Sequence, residues 1–162
     1  LSGQQGTRDQ AIDMLEEVLP NLQTVELQTE EDDPVVHLKY ADRTVPAALS
    51  GEGTHSLLRM CLEISVHKEG LVLIEEPEVH LHPAALWRAA RVIVAAMRRE
   101  IQIVLSTHSI ELIDGIISEC KNDELTGLSL FRLKLDDGII AYSSHDGESV
   151  ASSREHVVSD LR

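Results

Sequence analysis

Hydrophobic positions along the chain follow two rhythms, one helical and one extended. Ile12, Leu15, Val18 and Leu19 recur every three or four residues, which predicts a helix over 9–19 closed by Pro20. Residues 24–28 (TVELQ) and 35–40 (VVHLKY) alternate with a period of two. The TEEDDP between them carries Asp and Pro, so the pair predicts a hairpin. Leu57, Cys61 and Ile64 predict a helix over 54–67. The LVLI run at 71–74 is continuous and aliphatic, the pattern of a parallel strand buried on both faces.

Pro83 opens a helix predicted over 83–99, with Leu86, Ala90, Ile93 and Met97 inward and three arginines outside. IQIVLS (101–106) reads as a second buried strand and 110–120 as another helix. LSLFRLKL (128–135) and GIIAYS (138–143) predict a closing hairpin around Asp136, Asp137 and Gly138. Strand, helix and strand over 71–74, 83–99 and 101–106 predict a right-handed parallel crossover. The expected fold class is therefore α/β, with parallel core strands, flanking helices and antiparallel edge hairpins. Residues 1–143 read as one domain. Residues 144–162 read as a polar tail or linker, with a short helix at 154–162.

Composition narrows the picture. Aromatic residues are only 2% of the chain, so the core must be aliphatic. Acidic residues outnumber basic ones 28 to 14, for a net charge of -14, which argues against a broad nucleic-acid-binding surface on this segment. Cys61 and Cys120 fall in predicted helices and read as small buried hydrophobes. No secretory signal or membrane-spanning run is visible, so a soluble cytoplasmic protein is expected. His37, His55, His67, His145 and His156 read as surface or structural residues, Trp87 as packing, and the acidic run 30–33 as a solvated turn.

The chemistry concentrates in LVLIEEPEVHLHP, residues 71–83. A buried strand ending in Glu75 and Glu76 presents both carboxylates at its C-terminal edge, where open α/β sheets bind ligands. One acid there suits magnesium, often through water, and the next suits an attacking water. STHS (106–109) ends the neighbouring strand and brings His108 to the same edge, where an imidazole can hydrogen-bond a terminal phosphate. Its serines and threonine equally suit a helix N-cap.

IEEPEVHLHP together with LSTHS resembles the ATPase heads of the ABC superfamily, in the branch of OLD-family and RecF/SMC-like ATPases. The resemblance covers about residues 45–120 and implies the C-terminal lobe of a P-loop NTPase. It gives Glu75 the Walker B position on magnesium, Glu76 the catalytic glutamate position and His108 the switch position. Residues 78–83, with His80 and His82, become the D-loop at a dimer interface.

The same family carries a Ser-Gly signature turn that touches the partner's ATP, and two stretches compete for it. LSGEG places Ser50 twenty-five residues before Glu75 with one helix between; LSGQQG lies more than seventy residues before it. Position selects LSGEG, with Ser50, Gly51 and Gly53 as the phosphate contacts in trans, and LSGQQG reads as coincidence. Such a turn at a helix N-terminus is a ready phosphate site, although Glu52 departs from the family pattern and must turn away or pair with a cation. GxxxxGK followed by Ser or Thr does not occur in these residues, and the resemblance places it upstream.

The function implied is ATP and magnesium binding and ATP hydrolysis in a head-to-head homodimer that drives a DNA-related or phage-defence effector. Two alternatives stand beside it. One is a metal-dependent hydrolase using Glu75, Glu76, Glu78, His80, His82 and His108. The other is a non-catalytic dimerisation or interaction lobe.

Overall fold

The computed structural model describes residues 12–16 and 18–156. Residues 12–16 and 18 are helical, and Leu15, Val18 and Leu19 are buried as the stripe predicts. Residues 9–11 of that predicted helix, the LSGQQG stretch and residues 157–162 lie outside the described part.

Strands β1 (Leu22–Glu30), β2 (Asp33–Tyr40) and β3 (Thr44–Pro46) form an antiparallel sheet in that order. The first connection is tighter than TEEDDP suggests. Only Glu31 and Asp32 lie outside the strands, both with positive φ (49° and 72°), the handedness that matches strand twist in a two-residue turn. Helix α1 (Glu52–Ser65) follows, burying Leu57, Leu58, Cys61 and Ile64.

Strand β4 (Gly70–Glu75), helix α2 (Pro83–Met97) and strand β5 (Ile101–Ser106) come next. β4 and β5 pair in parallel from Gly70 opposite Ile101 to Glu75 opposite Ser106. Their C-terminal ends therefore coincide. Helix α3 (Ile110–Glu119), strands β6 (Ser129–Asp136) and β7 (Ile139–Asp146) and helix α4 (Gly147–His156) complete the described chain. The β6–β7 turn is Asp137-Gly138, both with positive φ, as the Asp-Gly signal predicts. This is an α/β fold with one parallel and two antiparallel sheets.

Helix α2 lies at the centre of the core. Ala89, Ala90, Val92, Ile93, Val94 and Ala96 are all buried, and they pack in one cluster with Leu57, Cys61 and Ile64 of α1 and Leu112 and Ile116 of α3. The α2–α3 contact is close because Gly115 lacks a side chain: a Cβ there would lie 3.0 Å from that of Ala90. Trp87 packs against the same glycine, in keeping with a packing role.

One expectation fails. β4 is not buried on both faces: Leu71 is 54% and Leu73 72% exposed, and Val104 beside them on β5 is 52% exposed. Val72 and Ile74 of β4, and Ile101, Ile103 and Leu105 of β5, turn toward the core. A continuous aliphatic run reports a demand for cover on both sides, and the described residues supply it on one. The closing hairpin shows the same imbalance. Phe131, Leu133, Leu135, Ile140 and Tyr142 share one face by register, and each is at least 62% exposed.

Residues 144–156, read above as part of a polar tail, instead form the end of β7 and all of α4. Val150 is 1% exposed, and Arg154 donates two hydrogen bonds to Asp114 of α3, at 2.6 and 2.7 Å.

At the far end of α2, Arg98 donates to both oxygens of Glu124 at 2.7 and 2.9 Å. That guanidinium, aided by the Lys121 N–H, holds the Glu124 carboxyl down at about 2. Because the folded value is depressed, the pair's contribution is whole above the ordinary carboxylate value and is lost as pH falls toward about 2. A carboxyl NMR titration is expected to show Glu124 ionising near 2 and moving up toward the ordinary range in Arg98→Ala, where the Lys121 N–H remains. An ordinary midpoint in the wild type would contradict the pair.

Candidate functional site

Two turns leave the sheet at the same edge. Glu75 and Ser106 are the last paired residues of β4 and β5, and the Glu76 N–H continues the ladder by donating to the Ser106 carbonyl at 2.9 Å. Beyond that bond the chains separate. Glu76 has a φ of 41°, which turns the backbone out of the strand and into EVHLHP. His108 leaves β5 on the opposite side, and its Nε2 comes to 3.5 Å from Glu76 Oε1. Glu75 is exposed beside them.

The turn after β5 is closed by local bonds. The Ser109 N–H donates to Thr107 Oγ1 at 3.0 Å, and Ser109 Oγ accepts from the Leu112 N–H as the N-cap of α3. The cap reading of STHS and the proximity of His108 to Glu76 therefore hold together.

His82 caps α2. Its Nδ1 accepts from the Ala84 N–H at 3.3 Å, ahead of Pro83 at the first helical position. His80 lies in the left-handed region (φ 66°), with its Nδ1 3.4 Å from Glu52 Oε2. Glu52 thus lies toward the His80 imidazole.

The Ser-Gly turn sits where LSGEG is expected, at the start of a helix. Gly51 is the N-cap residue of α1 and exposed, with φ 85° and ψ 153°. A side chain there would be strained. Ser50 is half-buried and its hydroxyl donates to the Ala47 carbonyl at 2.6 Å, so phosphate binding would require that donor to swing outward. Gly53 lies behind the turn, near the His80 carbonyl and Leu81. Through Gly53 the start of α1 meets the EVHLHP stretch at His80 and Leu81.

Among the described residues, no group of three His, Cys, Asp or Glu side chains converges as a metal cage. The six residues of the hydrolase alternative do not gather into one such group. A magnesium ion held by one carboxylate and by substrate phosphates requires no such cage, and Glu75 suits that arrangement.

One participant carried no signal of its role. Glu78 reaches across from the β4 turn, and its Oε1 accepts from the backbone N–H of His108 at 2.6 Å. The contact spans thirty residues and ends on a backbone group, so neither periodicity nor motif announces it.

By its α/β fold the chain is like the P-loop NTPase heads of SMC proteins, as comparison with solved structures shows. The chain is similar to a structure from work on ATP-driven dimerization and DNA stimulated activation of SMC ATPases. The TM-score is 0.66 over 96% of this chain and 93% of that one, at 12% identity. It is also similar to the Smc head domain with an extended coiled coil from Pyrococcus furiosus, bound to the C-terminal domain of ScpA. There the TM-score is 0.63 at 14% identity, over 96% of this chain and 38% of that one. For the SMC head domain from Thermotoga maritima the TM-score is 0.63 at 12% identity, over 88% and 48%. The chain spans less than half the length of those last two.

Residues 6–114 match the family described as "AAA domain, putative AbiEii toxin, Type IV TA system", and the chain belongs to this AAA-domain family. It is also 30% identical over 113 residues to the uncharacterized protein MJECL11 of Methanocaldococcus jannaschii, covering 69% of this chain and 98% of that protein. No described helix is long and apolar enough to cross a membrane.

Proposed function

We propose that this chain is the C-terminal lobe of an ATPase head that binds and hydrolyses ATP between two copies of itself. The observation that carries the reading is the 3.5 Å approach of Glu76 and His108, thirty-two residues apart, at the shared C-terminal edge of β4 and β5. An acid and an imidazole brought together there suit a phosphoryl-transfer site, where positioning and electrostatics supply most of the catalysis.

In this reading Glu76 orients the attacking water and takes its proton, and His108 hydrogen-bonds the terminal phosphate. Glu75 holds magnesium through water, and the ion would neutralise charge on the phosphates. Ser50, Gly51 and Gly53 complete the partner's pocket at the start of α1. His80 lies beside Glu52 at that pocket, and His82 shapes the interface by capping α2. A P-loop-bearing lobe covers the open faces of β4–β5 and β6–β7. The family description points to a toxin–antitoxin or defence effector, and the SMC likeness to a DNA-related one. Those open faces also suit a non-catalytic interaction lobe, which would turn over no ATP.

Mixing two inactive forms of the full-length protein tests the shared pocket. Ser50→Arg and Glu76→Gln are each expected to lose ATP turnover alone. Mixed, they regain it, because a heterodimer rebuilds one site with both native residues. Two dead variants that stay dead together would refute the composite site, and a wild type without turnover would favour the interaction lobe.

A further inference from the structure

We infer that Glu78 is a positioning residue that holds His108 in place through the backbone, an inference that deepens the ATPase reading above and rests on it. The His108 imidazole is 87% exposed, so packing does not fix it. Its setting depends on the backbone of the β5 turn. Within that turn the Ser109 N–H is satisfied by Thr107 Oγ1 and the Leu112 N–H by Ser109 Oγ. The His108 N–H points the other way, to Glu78 Oε1 at 2.6 Å. A backbone donor on a carboxylate makes a short, charge-assisted bond, stronger than a neutral pair.

The approach is built into the turn that carries Glu78. Val79 N–H donates to the Glu76 carbonyl at 3.0 Å and Leu81 N–H to the Glu78 carbonyl at 2.9 Å. These successive turns, between Pro77 and the capped start of α2, bring the carboxylate over the β5 turn. The second oxygen, Oε2, is buried without a hydrogen-bond partner among the described residues. A buried, unpaired carboxylate oxygen is costly. The bond to His108 uses Oε1 alone, so the grip requires an acceptor at that reach and nothing of Oε2. Glu76 and His108 approach from separate turns, and Glu78 bonds the first turn to the backbone of the second.

The test compares Glu78→Ala, Glu78→Asp and Glu78→Gln in the full-length protein by steady-state ATPase kinetics and by hydrogen exchange of the 106–110 segment. Gln keeps an acceptor at the same reach, whereas Asp keeps the charge but is one methylene short. Ala and Asp are expected to lower kcat about 10–100-fold with little change in KM, the size of effect that a small misplacement of a reacting group produces. Exchange at 106–110 accelerates in both, and Gln stays close to wild type on both readouts. Wild-type kcat in Ala, or an active Asp beside an inactive Gln, would overturn the inference. Exchange unchanged in Ala and Asp would overturn it as well. If the wild type shows no turnover, the ATPase reading fails while the exchange comparison still decides the clamp. If Ala does not fold, the Asp–Gln contrast decides it.

Discussion

Glu76→Gln in the full-length protein is expected to leave ATP binding intact while kcat falls about 10²–10⁴-fold, the usual contribution of a positioned general base. The amide matches the carboxylate in shape, so the turn at φ 41° and the approach to His108 survive. It cannot take a proton from water. ATP then persists between the two heads, and the dimer accumulates. Light scattering after gel filtration with ATP and magnesium would show a mass near twice that of the subunit for the variant and mostly monomer for the wild type. Unchanged turnover in the variant would remove Glu76 from the chemistry.

Leu112→Ala is expected to cost about 2–5 kcal/mol, the range for truncating a fully buried leucine. Leu112 is 0% exposed and packs in the central cluster with α1 and α2. For a chain of this size the loss corresponds to a Tm lower by roughly 4–20 °C, readable by calorimetry or circular dichroism. Its N–H is also the one capped by Ser109, next to His108, so loosening should reach the β5 turn as well. Leu73→Ala, at a position 72% exposed, makes the contrast when residues 1–162 are studied alone: about 0.5 kcal/mol or less. Equal losses at the two positions would mean that the face of β4 is covered.

Those two leucines show what a sequence carries about a fold. Period and turn chemistry identified the β1–β2 hairpin, the Asp137-Gly138 turn, α1 to α3 and the parallel pair, because each is set by residues close in sequence. The burial of Leu71 and Leu73 was misread because an aliphatic strand records its need for cover and not what provides it. β3, three residues long, is too short to show alternation. Helix α4 has no apolar stripe. It is secured by Val150 and the Arg154–Asp114 pair, contacts visible only once forty intervening residues have folded. In the site, the histidine before Pro83 could have been read as an N-cap, since Pro favours the first helical position. The grip of Glu78 on a backbone amide thirty residues away could not.

The bare face of the closing hairpin sets how these residues behave at high concentration. Five large apolar side chains lie side by side in water, on a ribbon whose outer backbone groups invite a further strand. Against that stickiness stands mutual repulsion from a net charge of -14. Such repulsion reaches only about 10 Å at 0.1 M ionic strength and about 3 Å at 1 M. Dissolved salt therefore acts as the dial between dispersed molecules and clumps.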